Sequence, residues 1–413
     1  CCSYCVYRIK LIDIETTTHN KRGFAACPHD PNNYVVSLGM LISDGRNKVT
    51  YHDWHVSNHP HIDWEMSLKN SILDILDHTT LIVGHNIAFD LLYLRRLFTR
   101  TQYNALIRSK MLWDTQIGEY LLTGQQCKFA SLDSLSERYG GTQKNNIIKN
   151  YWDAGVSSED IPKAELLTYM REDVFNTKLV YDGQVDFAMN TKPNMIQLID
   201  LSMEHRKATL EMEANGMYFD QDRAHKLEME LSDQRDRSRK LAKKIMSKFI
   251  DSDLESNPDS PIQVSAIIYG GDLTVTRQVN LIDESSGLPI TYKSGSKKGM
   301  VKTKKEKQKM CIATPQFWVK KEFDSTSTSD EALKTILESN IFPVQSDVHT
   351  LILLVIELRK VSKELNTYIC AYSKKHTWEH SSTINCVFNH ASTSTGRLSS
   401  SKPNMQNIPR KVA

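Results

Sequence analysis

Three pairs of residues in this chain have the types and spacing to bring four carboxylates to one place, the chemistry of a divalent metal site. Asp13 and Glu15 are one residue apart at the end of the apolar run Ile9-Lys10-Leu11-Ile12-Asp13-Ile14-Glu15-Thr16. Residues i and i+2 of a strand point to one face, so the two carboxylates stand side by side. Their repulsion is relieved when a hard cation lies between them. A solvated strand end has the same pattern, and a bare Asp-x-Glu recurs by chance, so the pair needs partners from elsewhere. Asn86 and Asp90 lie four apart in Gly84-His85-Asn86-Ile87-Ala88-Phe89-Asp90, and Tyr169 and Asp173 lie four apart in Tyr169-Met170-Arg171-Glu172-Asp173. On helices each pair shares a face. Taken singly, Asn86 also reads as an N-cap and Asp90 as an exposed first-turn acid. It is the order and spacing of Asp-x-Glu, Asn-x-x-x-Asp and Tyr-x-x-x-Asp that raise the signal.

The surrounding segments must bring these residues together. The first strand spans Tyr7 to Thr17. Tyr34–Ser43 and Lys48–Val56 flank Asp44-Gly45-Arg46-Asn47, a hairpin pattern rich in turn formers. Residues 62–77 carry Leu68, Ile72, Ile75 and Leu76 at helical spacing. A short strand, Leu81-Ile82-Val83, leads through Gly84 into a helix expected to turn Phe89, Leu92 and Leu97 inward. Trp113–Leu122 and Ser131–Tyr139 read as short amphipathic helices, and a longer helix starts near Lys163. Three strands, a helix, a strand and a helix match an α/β fold with a ribonuclease-H-like mixed sheet.

Length and composition bound the rest. A chain of 413 residues holds two or three domains, and a net charge of +3 names no partner. No apolar run has membrane-spanning length, and Cys1-Cys2-Ser3-Tyr4-Cys5 lacks the apolar core of a signal peptide. The expectation is a soluble, monomeric, cytoplasmic protein. The chain starts without Met and stops at Arg410-Lys411-Val412-Ala413, as a piece of something longer would. Its eight cysteines are scattered, as free thiols in a reducing compartment are. Cys2, Cys5, Cys27 and His29 could suggest zinc, but no second paired motif accompanies them.

A break at Asn190–Asn194 suits a domain boundary. Beyond it, 196–214 reads as a helix stopped at Asn215-Gly216. A second helix over 221–250 is expected to bury Leu227, Leu231, Leu241, Ile245 and Phe249 as one stripe. Residues 293–309 hold eight lysines against one glutamate, an excess of seven positive charges, with Ser294, Gly295, Ser296 and Gly299 expected to keep the segment flexible. A basic loop like this is either solvated or a tether to phosphates, with Lys297, Lys298, Lys304 and Lys305 as the contacts. Further on, Arg359 and Lys363 share a helical face. Arg397 and Asn404 lie in a hydroxyl-rich stretch of small residues, suited to sequence-independent contact with a nucleic-acid backbone.

The three carboxylate motifs resemble those of the DnaQ-like 3′–5′ proofreading exonucleases, in the branch that carries a tyrosine. The likeness covers about residues 7–185, and all four carboxylates, Asp13, Glu15, Asp90 and Asp173, are present. The string Thr395-Gly-Arg-Leu-Ser-Ser-Ser401-Lys-Pro403-Asn404-Met405-Gln406-Asn407-Ile-Pro409 resembles the segment that family A DNA polymerases carry before their first palm carboxylate. The resemblance implies an exonuclease domain over 1–190, a helical thumb with a basic insertion over 191–355, and the beginning of a polymerase palm over 356–413. The basic insertion is closer to those of short phage polymerases, which would place the protein in the cytoplasm of a bacterial host.

The resemblance further implies two Mg²⁺ or Mn²⁺ ions, with Asp13 bridging both, Asp90 and Asp173 completing the cage, and Glu15 and Tyr169 orienting a water. Thr16 and Asn86 would help hold the terminal nucleotide. Thr395, Arg397, Ser400, Asn404, Gln406 and Asn407, with Arg359 and Lys363, would lie along a DNA primer–template, whose single-stranded 3′ end the exonuclease would take. A processivity partner is not named by any of these residues. The palm carboxylates and finger helix of a polymerase are not found: Asp200-Leu-Ser-Met-Glu204 has the wrong spacing, and His29-Asp30 lacks a following Glu. Two other readings share some of these features, a stand-alone 3′–5′ exonuclease of the RNase D or helicase-associated type and a catalytically idle nucleic-acid-binding or processivity module. The first has no use for the 395–409 segment, and the second has no use for four intact carboxylates.

Overall fold

A computed structural model of the chain describes residues 8–18, 20–21, 24–43, 49–58, 64–141, 147–250, 254–283, 286–292, 299–312, 326–373 and 382–409. Two compact units are present, one comprising the chain up to Asp220 together with Tyr372 onward, the other Gln221–Ala371.

The first unit is built on five strands: β1 (Ile9–Thr16), β2 (Val35–Ser43), β3 (Val49–His55), β4 (Leu81–Gly84) and β5 (Met111–Asp114). Their order across the sheet is β3-β2-β1-β4-β5. β1 pairs antiparallel with β2 and parallel with β4, and β4 pairs parallel with β5, which makes the sheet mixed. The fold class is therefore α/β with a ribonuclease-H-like sheet. The central strands are apolar on both faces, as Leu38, Met40, Leu81, Ile82 and Val83 are fully buried, and each such side chain contributes about 1.5–3 kcal/mol.

β5 is a strand that the sequence pattern misses. Met111-Leu112-Trp113-Asp114 runs directly into a helix, Thr115–Leu122, and its four residues are too few to show a period of two against the helical period that follows. The helices of the first unit are α1 (Trp64–Asp77), α2 (Ala88–Leu97), α3 (Thr115–Leu122), α4 (Leu132–Arg138), α5 (Ile147–Asp153), α6 (Lys163–Thr191) and α7 (Asn194–Asn215). In α2 the buried residues are Ala88, Asp90, Leu91, Leu92, Tyr93 and Leu94, whereas Phe89 and Leu97 are half-buried. The helix is covered on two sides, and this widens its buried face beyond a simple stripe.

The first unit extends past residue 190. Helix α7 sends Ile199, Met203 and Leu210 into the same core as the sheet. It also carries a buried ion pair: Arg206 donates to both carboxylate oxygens of Glu213 at 3.0 and 3.2 Å, and to the carbonyl of Phe388. Glu213 in turn accepts from the Phe388 amide at 2.6 Å. The hydroxyl of Tyr120 on α3 donates to the Thr393 carbonyl at 2.6 Å, and the Phe129 amide donates to Ala391. These bonds draw residues 388–393 onto the sheet-bearing unit, although the chain between Asp220 and Tyr372 lies in the other unit.

The second unit packs α8 (Gln221–Met246), α9 (Pro261–Tyr269), α10 (Asp330–Glu338) and α11 (Asp347–Lys363) around Ala242, Ile245, Met246, Ile267, Leu333, Leu351 and Val355. Ser260, Ser329 and Ser346 cap α9, α10 and α11 through their hydroxyls, contacts worth about 1 kcal/mol each. The buried side of α8 is Ala224, Ser238, Ala242, Ile245 and Met246, and Leu241 is exposed. Of the expected stripe Ile245 is buried and Phe249 packs on the core, Leu227 and Leu231 are half-buried, and Leu241 falls outside; Gln234 and Ser238 hydrogen-bond Glu357 of α11, which turns a small-residue face toward that helix. Residues 303–312 of the lysine-rich segment form a strand paired antiparallel with Gly271–Asn280, where the sequence suggests a flexible loop. In that register Lys304 pairs with Val279, Lys305 with Gln278, Lys307 with Thr276 and Lys309 with Thr274, so no lysine is paired with another.

Candidate active site

β1 presents Asp13 and Glu15 as expected. Along the strand Ile12, Ile14 and Thr16 are buried while Asp13 and Glu15 are half-buried, so the two carboxylates share the other face. In the antiparallel register Asp13 lies opposite Gly39 of β2, and residues directly opposite point to the same side. A Cβ on Gly39 would come within 3.0 Å of Met170 and 3.2 Å of Val174. The missing side chain lets α6 approach the sheet beside Asp13. Met170 and Val174 alternate along α6 with Tyr169 and Asp173, so that approach carries the phenol and the third carboxylate into place. Oxygens of Asp13, Glu15 and Asp173 lie within 4.8 Å of one another. Three hard, anionic oxygen donors at that separation suit a divalent cation.

Asp90 is not a member of that group, nor is it the exposed first-turn acid that the sequence also allows. It is buried at 5% exposure, and its Oδ1 accepts from the amide of Ile14 at 2.9 Å, between the two strand carboxylates. Burial first, and then the charge of Asp13, raise its carboxyl well above the usual range. Asn86 does not cap α2 with its side chain. The residue before the helix is Ile87, which has no side-chain cap, and Asn86 is exposed with a left-handed φ of 52°. The amides of Asn86 and Ile87 are instead bound by the carboxylate of Asp114, each at 3.1 Å.

Tyr169 keeps its proton at neutral pH, because burial and then the carboxylates of Asp173, Glu15 and Asp13 raise the phenol far above its ordinary value. Trp152 of α5 meets its ring edge-on, 5.8 Å between centroids at 89°. The Trp152 indole donates to Ser158, and the neighbouring Ser157 hydroxyl accepts from the Thr18 amide just past β1. A cleft of about 240 Å³ opens beside Tyr169, between Ile147 and Ile148 of α5 and Glu165, Thr168 and Glu172 of α6. Thr16 is buried, and its side chain shares a hydrogen bond with the phenol of Tyr93. Gly39, Asp114 and Trp152 were not legible as site residues. The signal for Asp114 was its place at the end of an apolar tetrapeptide, the same position that Asp13 occupies in β1.

The candidate nucleic-acid contacts are scattered. Lys297 and Lys298 lie outside the described residues. Lys304 is exposed on the 303–312 strand, and Lys305 follows it there. Arg359 is engaged within its own unit, donating to the Thr328 carbonyl and pairing with Asp330, while Lys363 is exposed. Thr395, Arg397, Gln406 and Asn407 are exposed. Ser400 is buried and shapes the turn instead, accepting from the Met405 amide and donating to Asn404 Oδ1. Asn404 Oδ1 also accepts from the Gln406 amide, and its carbonyl from Tyr372. The turn needs these internal bonds because it has few apolar side chains of its own.

The sheet thus carries a carboxylate pair on β1, with an acid at the start of α2 and a Tyr-x-x-x-Asp face on α6, the arrangement that the sequence resemblance to 3′–5′ exonucleases leads one to expect. Residues 29–183 match the family model for 3′–5′ exonuclease, and residues 291–413 match that for DNA polymerase family A. DNA polymerase I of Bacillus subtilis is 33% identical over 128 residues, 31% of this chain and 12% of that protein. The POL domain of Pol1 from M. smegmatis, solved in complex with DNA primer–template and dNTP, is similar over 98% of this chain at a TM-score of 0.57 and 16% identity. The chain covers 53% of that solved polymerase, about half its length.

Proposed function

We propose that this chain is a portion of a replicative DNA-directed DNA polymerase and that it removes nucleotides from the 3′ end of DNA by hydrolysis. The observation that carries this reading is the meeting of Asp13, Glu15 and Asp173 within 4.8 Å, beside a phenol that keeps its proton. Asp13, Glu15 and Asp173 would hold one Mg²⁺ or Mn²⁺, and Asp90 beside Asp13 would help hold a second. When bound, such ions supply the positive charge that makes a water nucleophilic and steadies the leaving oxygen.

The residues of the chain do the positioning. The Tyr169 hydroxyl and the Glu15 carboxylate orient a water toward the phosphorus of the last phosphodiester. A new P–O bond forms on one side as the bond to the 3′ oxygen opposite breaks, releasing a nucleoside monophosphate. Thr16 and Asn86 hold the terminal nucleotide, and a mispaired end frays into the site at lower cost than a paired one. Thr395, Arg397, Ser400, Asn404, Gln406 and Asn407, with Arg359, Lys363, Lys297, Lys298, Lys304 and Lys305, contact the DNA. The protein acts as a monomer in the cytoplasm. The stand-alone exonuclease reading leaves the polymerase-family segment without a purpose, and the idle-module reading leaves the carboxylates without one.

Two measurements test this. Purified protein is expected to shorten a labelled single-stranded oligonucleotide and a mismatched primer faster than a matched one, and to stop in EDTA. Absence of digestion with both Mg²⁺ and Mn²⁺ sinks the exonuclease reading. Changing Lys297, Lys298, Lys304 and Lys305 to Gln is expected to lower the salt slope of duplex binding by about one per lost contact. An unchanged slope returns that segment to a solvated role.

A further inference from the structure

We infer that Asp114 is a positioning residue of the exonuclease site: its carboxylate fixes the backbone path that presents Asn86 to the substrate and Asp90 to Asp13. The inference rests on the exonuclease reading above.

Asp114 ends β5 directly opposite Gly84, where β4 ends, and it is 2% exposed. Its Oδ1 accepts from the amides of Asn86 at 3.1 Å and Gln116 at 2.9 Å, and its Oδ2 accepts from the amide of Ile87 at 3.1 Å. One side chain therefore caps two helices, its own α3 and the distant α2. The first amides of a helix have no intrahelical acceptor, so a buried start needs one from outside. Ile87 offers none, and Asn86 is turned into the left-handed region, which Asn tolerates better than most residues. The acceptor comes from a residue 27 positions further along the chain.

Thr115 completes the brace. Its hydroxyl bonds Nδ1 of His85 at 2.8 Å and reaches the Gly84 carbonyl at 3.4 Å. A Cβ on Gly84 would stand 2.7 Å from Ile87, so the crossing is also packed closely from within. The consequence falls on two functional side chains. Asn86 is the residue whose backbone is bent by the brace. Asp90 sits three residues after Ile87 on the helix so capped, and its oxygen bonds Ile14 of β1 at 2.9 Å. A rotation of the α2 start would separate Asp90 from Asp13 while leaving the Asp13, Glu15 and Asp173 group intact.

The test is Asp114→Asn in the full chain. This variant keeps the volume and one acceptor oxygen but turns an NH₂ group toward an amide that needs an acceptor. Three quantities are measured: the melting curve, kcat and KM on a single-stranded oligonucleotide, and Mn²⁺ binding followed by electron paramagnetic resonance. The expected result is a folded protein whose kcat and weaker Mn²⁺ affinity each fall by about tenfold or more. Thr115→Val is expected to give a smaller loss of the same kind. A folded Asp114→Asn protein with a lower melting temperature but unchanged kcat and Mn²⁺ affinity overturns the inference, because capping would then serve stability alone. If Asp114→Asn does not fold, Thr115→Val decides on the same readouts, and wild-type values overturn the inference. Failure of the exonuclease reading is seen separately, as a wild-type protein that does not digest DNA, and the Mn²⁺ measurement still stands in that case.

Discussion

Replacing Asp13 by asparagine is expected to make the metal-free protein more stable and nearly inactive. Asp13 has two carboxylate neighbours, Glu15 and Asp173, with oxygens within 4.8 Å. At that distance a pair of unit charges repels by about 1 kcal/mol in water and by about 3 kcal/mol at the effective dielectric of a protein surface. Asp13 and Glu15 are half-buried at the edge of solvent, so we take the lower figure for each pair, about 2 kcal/mol in all. Asparagine has the same shape, so packing against β2 is kept. For a unit of this size the gain corresponds to a rise in melting temperature of about 4–8 °C in EDTA. Saturating Mg²⁺ reverses the order. A ligand at a hundred times its Kd stabilises the wild type by about 2.7 kcal/mol, and the variant has lost a donor for it. Digestion of a labelled single strand is expected to fall by about a hundredfold or more. The assay is a pair of melting curves, with EDTA and with excess Mg²⁺, beside the digestion rate. A variant that melts below the wild type in EDTA, or that gains as much from Mg²⁺, refutes the repulsive metal-binding group.

Tyr169→Phe removes the hydroxyl but no metal donor, so calorimetry is expected to find unchanged metal affinity while the rate falls by about ten- to a hundredfold. Lost affinity would make the phenol a ligand. Asp90→Asn gives a pH signature. The folded carboxyl of Asp90 is raised by burial and by Asp13, so its ionisation opposes folding; the penalty is absent below the unfolded value, grows as pH rises, and is full above the raised folded value. The variant is therefore expected to melt higher than the wild type at neutral pH without metal, with the difference vanishing toward about pH 4; a pH-independent difference contradicts the argument. Arg206→Met leaves the buried Glu213 carboxylate without its partner, and urea unfolding is expected to show a loss of about 3–5 kcal/mol. A loss below about 1 kcal/mol would mean that water reaches Glu213.

Which neighbouring residues share a face can be read from the amino-acid order alone, because strand and helix periodicities are local. Asp13 and Glu15 share a face through the two-residue repeat of β1, and Tyr169 and Asp173 share one through the helical turn of α6. Neither statement needs the rest of the chain. The identity of the polymerase-family segment was also local, since thirteen of the fifteen positions 395–409 carry it. What the tertiary structure alone decided depends on contacts between distant segments. Gly39 matters because α6 packs on it 130 residues later. Asp90 of α2 is buried where its carboxylate meets the Ile14 amide of β1, and Asp114 caps a helix that ended well before it in the chain. The bonds of Arg359 to Thr328 and Asp330, and of Ser400 to Asn404 and Met405, likewise come from partners that no residue pattern names. In each case the side chain is an ordinary one, and its role is set by a hydrogen bond or close approach whose partner no local pattern specifies.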